Sequence, residues 1–133
     1  MRTFSCSRNM NANVAERFVA IARIVAETAD SDKQFRHVSI IVSGKSIVGV
    51  GINGYKTHTI TQEMGYRNNL IHSEIDAYSK VRHRAGSYTL LNFRFNKHGE
   101  LRNSKPCRYC HPWCMEIFDE IWYSTNGGMR KLK

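Results

Sequence analysis

The sequence contains no apolar run approaching the ~20 residues that a membrane-spanning helix needs, so no membrane segment or membrane partner is expected. Proline is scarce, with two in 133 residues, and there is no Gly/Pro/Ser-rich linker, internal repeat or low-complexity tract. A single domain over residues 1–133 is therefore expected, and a chain of this length that is 41% hydrophobic has the material for a real core. The opening stretch, MRTFSCSRNMNAN, has no hydrophobic segment resembling a signal peptide. The expectation is a cytoplasmic protein whose four cysteines serve as thiols or metal ligands rather than disulfides. Acidic residues are also few, 11 against 20 Lys and Arg, giving a net charge of +9. Most of that excess is C-terminal: residues 79–133 hold 11 basic and 4 acidic side chains, whereas residues 1–78 hold 9 and 7. An anionic partner fits such asymmetry, either a nucleotide phosphate or a nucleic-acid backbone.

Val14, Phe18, Ile21, Ala22 and Val25 recur at helical spacing, with Asn13 and Glu16 placed as an N-cap and a first-turn acid, which predicts a helix over about 13–29. HVSIIV (37–42) and SIVGVGI (46–52) are β-branched runs joined through Gly44, the pattern of a hairpin. The string GKS at 44–46 is not a phosphate loop, because Ser39 stands where the motif needs a glycine. Residues 53–70 are polar and poorly periodic. Ile71, Ile75, Tyr78 and Val81 predict a second helix ending near Gly86, and SYTLLNFRF (87–95) a third strand. A helix follows the cysteines, EIWYST makes a fourth strand, and GGMRKLK is left as a basic tail. The order α β β α β α β predicts a sheet flanked by helices.

Residues 104–114, SKPCRYCHPWC, carry the densest chemistry, with three cysteines and a histidine in eight positions. Cys107-Arg-Tyr-Cys110-His111 spells a haem-attachment pattern, but such attachment belongs to exported proteins, and no second axial ligand stands out. A redox pair would leave HSE at 72–74 without purpose. A structural zinc could use Cys107, Cys110, Cys114 and either His72 or His111. A catalytic zinc could instead take His72, Cys107 and Cys110 alone, leaving its fourth position to water, with Glu74 placed to move a proton. Pro106 is suited to opening a helix that presents Cys107 and Cys110 on one face.

The H-x-E…P-C-x-x-C signature of zinc nucleobase deaminases is met by His72, Glu74, Pro106, Cys107 and Cys110, with 32 residues between Glu74 and Cys107. In these residues the chain resembles the cytidine/deoxycytidylate deaminase superfamily, with a likeness to small phage-type deoxycytidylate deaminases. The resemblance implies a three-layer α/β/α domain with a mixed sheet over roughly 13–125. It further implies a Zn2+ cofactor on His72, Cys107 and Cys110, Glu74 as proton shuttle, and Asn53 as a substrate contact. Ser73, a further candidate substrate contact, stands where the family carries a small residue, usually Ala, and Ile52 where nucleotide-type members carry Tyr. A homo-oligomer is implied as well.

The implied reaction is hydrolytic conversion of a cytosine nucleotide or nucleoside to its uracil form with release of ammonia. A free nucleotide needs cations near its phosphate, and Lys56, Arg67 and Arg108 are the candidates. The competing substrate is a single-stranded DNA or RNA, for which Arg94, Lys97, Arg102, Lys105 and Arg108 would supply a basic groove. A third reading is a non-catalytic binding protein whose zinc is closed by Cys114 or His111. Phe93 and Phe95 share a strand face and are expected in the core.

Overall fold

In a computed structural model of the chain, residues 10–28, 35–53, 72–81 and 86–133 are described. Helix α1 runs Ala12–Glu27, starting slightly before the predicted position. Its cap is Asn11 rather than Asn13: Asn11 Oδ1 accepts from the Val14 N–H at 3.0 Å, satisfying a first-turn donor that has no partner inside the helix. Ala15, Ala22 and Ala26 form the buried face, with Phe18, Val19 and Val25 packed beside them. Ile21, assigned to that stripe by spacing, is 40% exposed.

Strands β1 (Phe35–Ser43) and β2 (Ser46–Ile52) pair antiparallel as the expected hairpin. Helix α2 (Ser73–Ser79) precedes β3 (Thr89–Asn96), and a two-residue strand β4 (Leu101–Arg102) turns back onto β3. Helix α3 (Cys110–Ile117) leads to β5 (Glu120–Thr125). The supposed basic tail is in fact a strand, β6 (Gly128–Lys131), antiparallel to β5. The sheet order is β2-β1-β3-β5-β6, with β4 on β3; β3 and β5 run parallel and the other pairs antiparallel, so the sheet is mixed.

Alternation along the strands sorts the residues into two cores. Val38, Ile40, Val42, Leu91, Phe93, Phe95, Trp122 and Met129 pack under α1, which settles Phe93 and Phe95 as core. Ile41, Leu90 and Ile121 pack under α2 and α3 with Ile75, Ala77, Cys110, Cys114 and Phe118. The domain is a three-layer α/β/α sandwich.

Helix α2 sits unusually close to β2. A Cβ on Gly49 would fall 2.5 Å from Ala77 O, and one on Gly51 would strike the backbone of Ser73 and Ala77. Glycine at these positions permits the approach. The exposed edge of β2 is then covered by α2 itself: Asp76 Oδ2 accepts from the Ile52 N–H at 2.9 Å, and Lys80 Nζ donates to Val50 O at 3.0 Å.

Candidate metal centre

His72 caps α2 in an extended conformation, and its carbonyl accepts from the Asp76 N–H at 3.0 Å. Cys107 comes from the turn ahead of α3, and Cys110 opens the helix itself. That helix begins at Cys110 and not at Pro106; the His111 N–H donates to Cys107 O at 2.8 Å, closing a turn that brings both sulfurs to one side. Pro112 is only the third residue of α3, where an N–H has no partner within the helix, so its ring causes no break.

Both Cys107 Sγ and Cys110 Sγ lie 3.7 Å from His72 Nδ1, and the three ligand atoms are all within 4.8 Å of one another. A tetrahedral zinc with ligand distances of about 2.3 Å to sulfur and 2.0 Å to nitrogen has N···S edges of about 3.5 Å. The donor set and its spacing fit zinc. Among the described residues neither Cys114 nor His111 joins this group. Cys114 is fully buried in the core, and burial raises its thiol pKa far above the ordinary value, which keeps it a neutral packing group. The hydrogen bond with Cys107 raises the pKa of His72, against the opposing effect of burial.

Glu74 sits two residues from His72 on α2 and is 6% exposed. Burial raises its carboxyl pKa, and its backbone amide, His72 and Asn92 pull it back. The carboxylate ends a chain of hydrogen bonds. Asn92 Nδ2 donates to Glu74 Oε2 at 3.1 Å and points toward Ser104 O at 3.4 Å. Two acceptors on that side fix the amide orientation, which leaves Asn92 Oδ1 to accept from the Ser39 hydroxyl at 2.6 Å. Ser39 has one proton, so its 2.8 Å contact with Ser73 is donated by Ser73. With its proton directed to Ser39, Ser73 Oγ only sits beside Glu74 Oε1, 3.3 Å away.

A second set of bonds ties the cysteine segment to the sheet. Ser104 Oγ donates to Asn92 O at 2.8 Å and accepts from the Ser124 N–H at 2.7 Å. Ser39, Asn92, Ser104 and Ser124 do not stand out from the sequence as site residues. The available signal is a polar residue inside an otherwise apolar strand, as in HVSIIV and TLLNFRF, a placement that costs free energy unless a partner is present.

The other expected site residues are distributed less tightly. Ser73 is buried at the start of the chain just described. Asn53 directly follows β2, where its Oδ1 accepts from the His37 N–H at 3.1 Å and its N–H donates to His37 O at 3.3 Å. Arg108 lies between the two ligand cysteines, its guanidinium 4.9 Å from the Tyr109 ring and bonded to the Tyr109 hydroxyl at 2.9 Å. Lys56 and Arg67 lie outside the described residues. Arg94 faces away from Phe93 and Phe95, as alternation requires, and donates to Asn103 O at 3.3 Å.

Two solved structures share this architecture. A dCMP deaminase from the cyanophage S-TIM5, in apo form, superposes with a TM-score of 0.54 at 17% identity, over 84% of this chain and 82% of that one. A cytidine deaminase from Mycobacterium leprae gives a TM-score of 0.54 at 15% identity, over 92% and 93% of the two chains. The chain has the cytidine deaminase fold. No protein-family model and no curated protein matches it.

Proposed function

We propose that the chain is a zinc-dependent hydrolytic deaminase of a cytosine nucleotide or nucleoside. The observation that carries the reading is the convergence of His72, Cys107 and Cys110 at zinc-like spacing beside the buried Glu74. His72 Nδ1 and the two thiolates would hold the metal. When bound by three protein ligands, zinc supplies an open position and makes a water there acidic near neutral pH. Glu74 takes a proton from the attacking water and returns it to the departing amine. Water adds at the amino-bearing carbon of cytosine and ammonia leaves, so the uracil form results. Arg108, braced on Tyr109 beside Cys107 and Cys110, would be a cation to meet a substrate phosphate.

The test measures ammonia release and C-to-U conversion on two pools. One holds cytidine, deoxycytidine and their monophosphates; the other holds single-stranded DNA and RNA oligonucleotides. Turnover of the monomers that vanishes in Glu74→Gln protein of equal zinc content is the expected result. Turnover of oligonucleotides alone would move the substrate to nucleic acid. No turnover of either pool by zinc-loaded protein would overturn the proposal.

A further inference from the structure

We propose that Asn92 is the positioning residue that holds Glu74 in place, and that Ser39 supports it from behind by donating to the Asn92 side-chain carbonyl. The proposal rests on the reading of Glu74 as proton shuttle. Asn92 is 2% exposed and lies on β3, a strand paired on both sides by β1 and β5. Its Cα therefore belongs to one of the most constrained parts of the sheet. Glu74 is a longer side chain on a helix of only seven residues, and it gains its fixed geometry from what it touches. The side-chain donor on its Oε2 is Asn92 Nδ2.

An amide is nearly symmetric in shape, so Asn92 would fit either way round. Reversed, its carbonyl would face the Glu74 carboxylate and Ser104 O, and Nδ2 would turn to Ser39. Glu74 Oε2 and Ser104 O, both acceptors, favour the orientation that donates to them, and Ser39 then donates to Oδ1 at 2.6 Å. Asn92 also touches the other half of the centre. Its carbonyl accepts from Ser104 Oγ, and its side chain approaches Ser104 O, three residues before Cys107. One residue thus fixes the shuttle on α2 and the segment that delivers Cys107. That arrangement sets the distance between the group that moves the proton and the metal ligands.

The experiment compares Asn92→Asp and Ser39→Ala with the parent protein, all zinc-loaded. Aspartate keeps the shape of asparagine but replaces the donor with an acceptor. For Asn92→Asp, kcat should fall about 100-fold, with KM changed by less than about threefold and zinc content unchanged. Ser39→Ala, the milder change should the first variant fold poorly, should lower kcat about tenfold with the same pattern. An unchanged kcat in either variant, or a loss carried by KM or by missing zinc, overturns the proposal. A parallel denaturation cycle in the zinc-free protein crosses Asn92→Asp with Glu74→Gln. The Asn92 change should shift the urea midpoint far more in the parent than in the Glu74→Gln background, and additive shifts refute the link. Because that cycle needs no substrate, it still reads the Asn92–Glu74 link if the deaminase reading fails.

Discussion

Gly51 sets how far α2 stands from β2, and Gly51→Ala tests whether that spacing matters. The added Cβ would collide with Ser73 O and the Ala77 N–H and would lie 2.8 Å from Ala77 Cα. Carbon atoms in contact sit at about 3.5–4.0 Å, so relief requires a shift of about 1 Å. The obstructing atoms are helix backbone, and no flexible side chain can swing aside. The whole helix must move, carrying His72, Ser73 and Glu74 with it, while Cys107 and Cys110 stay on their own turn. Both N···S separations of 3.7 Å are then lost together. Overpacking of this kind costs about 1–3 kcal/mol, or roughly 4 °C in Tm per kcal/mol at this chain length. Zinc affinity should drop about 10–100-fold, the usual effect of disturbing the groups that orient a ligand. Thermal unfolding and competition with a chromophoric chelator read the two effects. A Gly51→Ala protein with parental Tm and zinc affinity would refute the reasoning.

Three further outcomes follow from the same geometry. Burial raises the Glu74 carboxyl pKa in the folded state, so its contribution to stability is present at low pH and is lost as pH rises through the folded pKa. In zinc-free protein, Glu74→Gln should therefore be more stable than the parent above that pKa, with the gap closing on acidification, as urea midpoints across pH would record. His72 must lose its proton to bind metal, and Cys107 raises its pKa; chelator competition should show zinc affinity weakening steadily from about pH 8 to pH 5.5. Lys133 Nζ donates to Met115 O and Phe118 O at 2.7 Å each, capping the C-terminal end of α3; Lys133→Ala should cost about 1 kcal/mol, measured as a urea midpoint shift with zinc content intact.

The chemistry-bearing residues are legible in the sequence because their spacing is local. His72 and Glu74 lie on one turn, as do Cys107 and Cys110, and the strands around them are strongly β-branched or apolar. The hydrogen-bond chain is not legible, since Ser39 and Asn92 are 53 positions apart and only strand pairing makes them neighbours. Strand β6 is hidden by its charges: Arg130 and Lys131 are exposed on an edge strand, and only Met129 turns inward. The Asn126-Gly127 pair before it is a hairpin signal that a basic C-terminus obscures. Asn11 and Asn13 are chemically identical caps, and which one is used depends on the geometry of chain entry. Pro106 suits the first position of a helix, but α3 begins only at Cys110, and the turn closed between Cys107 and His111 places the two sulfurs together.

The most direct test of the three-ligand centre is metal analysis by native mass spectrometry on the parent, His72→Ala, Cys107→Ser, Cys110→Ser and Cys114→Ser proteins. One zinc per chain is predicted for the parent and Cys114→Ser, and none for the other three. Zinc retained without Cys107 or Cys110, or lost without Cys114, would contradict the centre described.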